Sequence, residues 1–320
     1  MDVLILAGGM SHERDVSIRS GRRAKEALQS RGLRVTVADV DTSLIPTLRG
    51  LGDDVVVWPI LHGASGEDGS LQALLELVDV PFVGTRSREA RVAWVKPVAK
   101  AVYARASIAT PDYVTLPQTL FREAGADHVL GALVERFPLP LVVKPARGGS
   151  ALGVTLVTDP SELAHAMVQC FAYGDTALIE RAIAGTEVAV SVIGSGTDAR
   201  VLPAVEIVCE GPYDYDARYN AGRVEYFAPA RLSPTDAAAV EQAALAVHRT
   251  MGLIDISRID MILDDGVAYV IDINVSPGMT ETSLFPQAVE ASGADLGVLY
   301  ESMCAGALDR FRAREVPLAP

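Results

Sequence analysis

The feature that most constrains this chain is a pair of apolar runs near its carboxyl end. Arg258-Ile259-Asp260-Met261-Ile262-Leu263 is followed, after Asp264-Asp265-Gly266, by Val267 through Ser276-Pro277-Gly278. Alternating runs around an Asp-Gly turn signal predict an antiparallel hairpin. With those three residues as the loop, Leu263 faces Val267, Asp260 faces Val270 and Arg258 faces Asp272. Strand side chains alternate, so Arg258, Asp260, Asp272 and Asn274 share one face. Ile259, Met261, Leu263, Val267, Tyr269, Ile271 and Ile273 form the other, which reads as core. A two-residue loop would put Asp260 and Asp272 on opposite faces, so loop length is an expectation in its own right. Two carboxylates and an amide without His or Cys suit a hard cation such as Mg²⁺. An arginine among them calls for a further anion, as a nucleotide or oxyanion would supply. A solvated sheet face with scattered charges is the alternative.

A chain of 320 residues can bury a large core and hold two or three domains. Hydrophobic content of 49% with 22% charged residues is ordinary for a globular protein. Net charge of −13 argues against nucleic acid or an anionic membrane as partner, while leaving room for a local positive pocket. Cys170, Cys209 and Cys304 are widely spaced and odd in number, which fits buried structural thiols rather than disulfides or zinc. The opening Met1-Asp2-Val3-Leu4-Ile5-Leu6-Ala7 carries no basic leader, and no apolar stretch is long enough to span a bilayer. A soluble cytoplasmic protein is expected.

Strands are predicted at residues 3–6, 35–40, 55–61 and 81–84, with one helix after the first strand and another at 71–78, giving an open α/β unit to about residue 85. A helix over 88–106 precedes the turn signal Thr110-Pro111-Asp112. A helix at 126–136, a strand at 141–144, a glycine-rich loop at 147–153, a strand at 154–157, a helix at 161–172 and a strand at 177–180 follow. Longer strands at 187–193 and 202–208, a polar Tyr-rich loop at 210–223, a helix at 234–251, the hairpin and a final helix complete the chain.

Several segments carry chemistry. Lys144-Pro145-Ala146-Arg147-Gly148-Gly149-Ser150 sets a lysine before a mobile glycine loop, where backbone N–H groups can approach phosphates. It is not the Walker pattern, because the lysine precedes the glycines; a hairpin turn with an exposed lysine is the other reading. Glu180-Arg181-Ala182-Ile183 with Glu187 could line an adenosine pocket or be a solvated strand edge. His62-Gly63-Ala64-Ser65-Gly66-Glu67-Asp68-Gly69 follows a strand at the sheet edge where α/β folds bind ligands, although His62 could equally be a cap or surface residue. Gly8-Gly9-Met10-Ser11 lacks the dinucleotide-loop spacing, and Asp39 is the sole acidic candidate after the second strand, so a nicotinamide oxidoreductase fits poorly.

Six blocks recur in one order: Gly8-Gly9-x-Ser11-x-Glu13-Arg14-x-Val16-Ser17, His62-Gly63-x-x-Gly66-Glu67-Asp68-Gly69, Lys144-Pro145-x-Arg147, Tyr213-Asp214-Tyr215 with Tyr219, Arg258-x-Asp260, and Asn274-x-Ser276-Pro277-Gly278-Met279-Thr280. Together they make the chain resemble the D-alanine–D-alanine ligases of the ATP-grasp superfamily over residues 6–299. The resemblance implies an ATP-grasp fold of mixed α/β and α+β units. An N-terminal open α/β (Rossmann-like) domain over 1–95 would bind substrate. A central subdomain over 96–183 with the phosphate loop and a C-terminal subdomain over 184–320 would clamp ATP. It also implies a homodimer acting on D-amino acids and ATP, with two Mg²⁺ ions for which Mn²⁺ could substitute, in peptidoglycan precursor synthesis.

By the same resemblance, Glu13 would hold the first substrate's ammonium and His62 would lie near its carboxylate. Lys96, Lys144 and Arg218 would contact the ATP phosphates; Glu180, Ile183 (backbone) and Glu187 would bind adenosine. Asp260, Asp272 and Asn274 would ligate metal, and Arg258 with the Gly278 N–H would stabilise the oxyanion. Ser283 and Leu284 would receive the second carboxylate, and Ser150, Tyr219 and Glu13 would link two loops over the closed site. Asp272 stands where Glu is common, Arg218 where Lys is usual, and Gly148 and Ala151 where Glu and Ser are usual. Pro97 directly after Lys96 is compatible with a helix only in its first turn. Tyr219, where D-lactate-using relatives carry a histidine-bearing loop, favours an amine nucleophile. D-Serine or a D-amino acid of secondary metabolism is the alternative to D-alanine.

Overall fold

Val3-Leu4-Ile5-Leu6 is an unbroken apolar run, which a strand can bury only when both of its faces are covered. In a computed structural model, which describes residues 1–209 and 224–315, this run is the centre of a parallel sheet. β1 (Asp2–Leu6) lies between β2 (Arg34–Ala38) and β3 (Val55–Pro59). The connections hold α1 (Arg14–Ser30), α2 (Leu44–Arg49), α3 (Ala64–Glu67) and α4 (Ser70–Val78), of which α2 was not anticipated. The strand expected at 81–84 is reduced to one bridge, Phe82 to Val57, between Pro81 and a Gly84 at φ 111°.

The helix expected over 88–106 is two helices, α5 (Ser87–Trp94) and α6 (Lys96–Arg105), broken at Val95 (φ −93°, ψ 93°). Pro97 is the reason. Inside one continuous helix its ring would clash with the preceding turn, whereas in the first turn of a new helix its missing N–H loses no bond. The break has a use. Val95 bridges Arg147, and the Lys96 N–H donates to Ala146 O at 3.0 Å, pinning α6 to the glycine-rich loop.

β4 (Tyr113–Pro117), α7 (Gln118–Ala124), α8 (Ala126–Arg136), β5 (Leu141–Pro145), β6 (Thr155–Val157), α9 (Leu163–Phe171) and β7 (Thr176–Arg181) build a second, antiparallel sheet ordered β4-β7-β5-β6. A third sheet, ordered β11-β10-β8-β12-β13 with β9 on β8, comprises β8 (Thr186–Ser195), β9 (Arg200–Val201), β10 (Val205–Cys209), β11 (Val224–Phe227), β12 (Ile254–Asp264) and β13 (Val267–Asn274). α10 (Pro234–Thr250) covers its apolar face, Val240 and Val247 of the helix being buried with Val190, Ile259 and Met261 of the strands. α11 (Leu284–Ala291) and α12 (Leu296–Glu315) return toward the first sheet. Tyr300 packs edge-on to Trp58 at 4.8 Å and stacks on Phe285 at 6.5 Å, so the chain's last helix closes the first sheet's core.

The hairpin departs from its expected register. The turn has two central residues, Asp265 (φ 44°) and Gly266 (φ 75°), and Asp264 pairs with Val267. Left-handed conformation at both positions matches the right-handed strand twist, which favours this turn over a three-residue loop. By itself it would separate Asp260 from Asp272. A bulge at Ile271 restores them: Met261 pairs with Val270, but Asp260 pairs with Asp272 and Arg258 with Asn274. Beyond the bulge Ile259 and Ile273 are core, while between bulge and turn Ala268 and Val270 are core instead of the expected Val267, Tyr269 and Ile271. Ile271 thereby joins Ile262 on the polar face, and the two give it an apolar patch.

His248, fully buried on α10, accepts from Ser257 Oγ through Nδ1 (2.7 Å) and donates to Gly194 O through Nε2 (3.2 Å). Burial holds its pKa down at about 4. Below the ordinary value of 6.5 the unfolded chain takes a proton that the folded chain refuses. His248 therefore leaves stability intact above 6.5 and erodes it as pH falls toward 4, by at most about 3 kcal/mol. Denaturant unfolding at pH 4.5 and 7 should show a smaller acid loss for His248→Gln than for the native chain; equal losses would contradict this. Cys170 and Cys304, also buried, are pushed up to about 12, as expected of structural thiols. Among the described residues, no helix is long and apolar enough to cross a membrane.

Candidate active site

β5 ends at Lys144-Pro145, and its continuation 147–153 is the glycine-rich loop. Ser150 (φ 51°) and Ala151 (φ 56°) are left-handed and Gly148 sits at φ 142°, so the loop turns sharply, and Lys96 links Gly148 to Asp272 of the third sheet. Between β5, β7 and the hairpin lies a cavity of about 410 Å³ lined by Lys96, Lys144, Glu180, Ile183, Glu187, Asp260 and Asp272, with Ile262 and Ile271 as an apolar wall. A second cavity of about 530 Å³ is lined by Glu13, His62, Ser150, Arg258, Asn274, Gly278, Ser283 and Leu284. The two share Lys96, Gly148, Gly149 and Asp272. Every site residue anticipated from sequence and described in the structure lines one or both. Arg218 and Tyr219 lie outside the described residues.

Lys96 stands at the junction. Its Nζ donates to both Asp272 oxygens (2.9 and 3.0 Å) and to Gly148 O (2.9 Å). Burial would raise the Asp272 carboxyl, but Lys96 and Lys144 outweigh it and hold it below the usual carboxylate range. Across the hairpin, the Arg258 guanidinium forks onto Asp260, Nε to Oδ1 at 2.7 Å and Nη2 to Oδ2 at 2.8 Å. The Asn274 amide oxygen accepts from the Ser276 N–H at 2.8 Å and fixes the chain beyond β13. Two facing carboxylates, each already holding a cation of the chain itself, and one amide oxygen are a donor set that fits divalent magnesium shared with phosphate oxygens.

On the floor of the first cavity, Glu180 is buried between two lysines, Lys144 at 2.5 Å and Lys100 at 2.8 Å. Burial would raise its pKa, yet the two ammonium groups keep it ionised. Its carboxylate is therefore committed to lysine; Glu187 is a further carboxylate of the cavity wall. Lys100 was missed by sequence reasoning. It is one helical turn beyond Lys96, a spacing that reads as ordinary helix until the fold places Glu180 beside it.

In the second cavity Ser150 Oγ donates to Glu13 Oε1, joining the glycine loop to the first turn of α1. Gly63 (φ 67°) leaves space for this carboxylate, because a Cβ there would stand 2.6 Å from Glu13 Oε2. The Gly63 N–H donates to Glu67 Oε1 at 2.8 Å, and burial followed by the Glu13 charge raises Glu67 well above the usual range. Glu67, to which the sequence assigned no role, is a second carboxyl of this pocket. His62 is held by the chain at both nitrogens: Nδ1 donates to Ser276 O (2.9 Å) and Nε2 accepts from Ser20 Oγ (3.2 Å). Burial lowers its pKa and keeps it neutral. Ser20 in turn accepts from the Met279 N–H at 3.1 Å. His62 thus ties the loop 276–279 to α1 while lining the second cavity. Ser283, N-cap of α11, accepts from the Thr280 N–H at 3.0 Å, and a Cβ on Gly278 would meet its Oγ at 2.7 Å. Asp39 accepts from Gly9 N–H (2.7 Å) and pairs with Arg14 (2.6 Å), so it closes the first loop rather than facing a ribose.

Comparison with known proteins agrees with this geometry. The family model described as D-ala D-ala ligase C-terminus matches residues 102–305, and that described as D-ala D-ala ligase N-terminus matches 47–85. A D-alanine–D-alanine ligase of Anaeromyxobacter dehalogenans is 38% identical over 309 residues, covering 96% of either chain. The crystal structure of a D-alanine–D-alanine ligase from Bacillus anthracis superposes with a TM-score of 0.81 at 27% identity, over 99% of this chain and 100% of that one. A crystal structure of a D-alanine–D-alanine ligase from Bacillus anthracis complexed with ATP gives 0.79 at 26%, over 99% of each. With its mixed helices and sheets the fold is that of the ATP-grasp enzymes, and the chain belongs to the D-alanine–D-alanine ligase family.

Proposed function

We propose that the chain joins two D-alanines to D-alanyl-D-alanine with ATP, releasing ADP and phosphate, as a cytoplasmic step of peptidoglycan precursor synthesis and as a homodimer. The observation that carries the reading is the meeting of a nucleotide-sized cavity and an amino-acid cavity across Lys96, Gly148, Gly149 and Asp272. A carboxylate is a poor electrophile, so an oxygen of the first D-alanine attacks the γ-phosphorus and ADP leaves. The neutral amine of the second attacks the resulting acyl carbon, the carbon–oxygen bond to phosphate breaks, and the amine's proton is lost to solvent.

The chain's residues divide this work. Lys96, Lys144 and Arg218 neutralise phosphate oxygens, while Ile183 and Glu187 hold adenosine, with Glu180 anchoring Lys144. Glu13 takes the first ammonium, and the Ser283–Leu284 helix start receives the second carboxylate. Arg258 and the Gly278 N–H meet the oxyanion. Ser150, Glu13 and Tyr219 draw the loops over the site and exclude water, which would hydrolyse the acyl phosphate. Asp260, Asp272 and Asn274 hold two Mg²⁺ (or Mn²⁺) ions, which when bound offset charge on the phosphate oxygens. The units 1–95, 96–183 and 184–320 are the proposed divisions, each containing one of the three sheets. Phosphate release measured with a panel of D-amino and D-hydroxy acids tests the substrate. Release with D-alanine alone supports the reading. Release only on adding D-serine or another D-amino acid would instead favour a related ligase of secondary metabolism.

A further inference from the structure

Lys100 is almost fully buried, at 2% exposure, and belongs to none of the motifs that carry the proposed reaction. Its Nζ lies 2.8 Å from Glu180 Oε2, 2.6 Å from Thr110 Oγ1 and 3.3 Å from Pro111 O. Thr110 passes the link on to β13 by donating to Val270 O at 2.7 Å. The other Glu180 oxygen holds Lys144, whose Nζ also donates to Ile271 O at 3.1 Å beside the hairpin face. Two ammonium groups thus share one carboxylate, and all three side chains are almost fully buried. The group of three carries one net positive charge, and of the two lysines only Lys144 lines the cavity. Without Lys100, Glu180 would neutralise Lys144 completely and leave no net charge for a phosphate.

We propose that Lys100 is a charge-balancing positioning residue for the nucleotide: by taking half of Glu180, it leaves Lys144 free to act on an ATP phosphate. The inference rests on the nucleotide reading of the first cavity. It gives buried Lys100 a purpose that packing alone does not, since an uncharged residue would fill the space without removing an ammonium group from water. Burial pushes its pKa down to about 8 even with Glu180 adjacent, so the charge is held there against a real penalty.

The test is calorimetric titration of the full chain with ADP and Mg²⁺, alongside thermal melts. Lys100→Met should weaken ADP binding by about tenfold or more, while Lys100→Arg stays within about threefold of native. The double variant Lys100→Met/Glu180→Gln restores the net charge despite losing more contacts, and should return to within about threefold. A purely structural role for Lys100 predicts the opposite order, with the double variant weakest. Lys100→Met binding within about twofold of native, or a double variant no better than the single, would overturn the inference. If Lys100→Met does not fold, the double variant alone decides, by native-like or weakened binding. Failure of the unmodified chain to bind ADP would sink the nucleotide reading and this inference with it; the variant outcomes bear on the inference alone.

Discussion

Replacing Arg258 by Met is expected to lower kcat by about 10²–10³-fold, the loss usual for one oxyanion donor. Arg258 lines the second cavity and also forks onto Asp260, with side-chain exposures of only 11% and 8%. Its removal therefore has a second consequence. Asp260 would be left buried without its partner, a change that typically costs about 3–5 kcal/mol. A divalent cation can replace that partner, because Asp260 faces Asp272 across the hairpin. The Arg258→Met protein should melt well below the native chain without Mg²⁺ and gain more from Mg²⁺ than the native chain does. Arg258→Lys keeps the charge but loses the planar fork, so it should fall between the two in turnover. Steady-state phosphate release and melting with and without Mg²⁺ check both arms. Native-like turnover of Arg258→Met would remove it from the chemistry.

Asp272→Asn is the second large effect. Among the described residues Asp272 is the one carboxylate shared by both cavities, and it holds Lys96 with both oxygens. Losing its charge weakens the cation site and releases Lys96 from its anchored position. Turnover should drop by about 10²-fold, the equivalent of roughly 3 kcal/mol of lost charge stabilisation, and half-saturation should need about tenfold more Mg²⁺. Asp272→Glu is the control. It retains the charge with one more methylene of reach, as in the family's usual pattern, and should keep most of the activity. Magnesium titrations of the three proteins separate the outcomes; an unchanged magnesium requirement in Asp272→Asn would show that this carboxylate does not hold the ion.

How much of this was legible in the sequence depends on the range of the interactions. The four polar residues of the hairpin were placed on one face although the turn was read one residue too long. The actual turn shifts the register by one residue and the bulge at Ile271 by one more, and a shift of two leaves faces unchanged because strand side chains alternate with period two. The bulge itself has no local signature, so the partial exposure of Tyr269 and Ile271 and the burial of Ala268 and Val270 could not be foreseen. Pro97 gave a readable signal for the division between α5 and α6. Lys100, Glu67 and the double use of His62 gave none. Each depends on a partner far along the chain: Glu180 for Lys100, the Glu13 carboxylate for Glu67, and Ser276 with Ser20 for His62. Residue type and spacing locate a strand end or a loop, but not which side chain will arrive opposite it.

The central claim is that a D-alanine carboxylate oxygen becomes bonded to the transferred phosphorus. D-Alanine labelled with ¹⁸O in its carboxyl group, turned over with unlabelled ATP and Mg²⁺, tests it directly by mass analysis of the released phosphate. The account predicts one labelled oxygen in each phosphate, formed together with D-alanyl-D-alanine. Phosphate released without label would mean that water, and not the substrate carboxylate, attacks the nucleotide, and would contradict it.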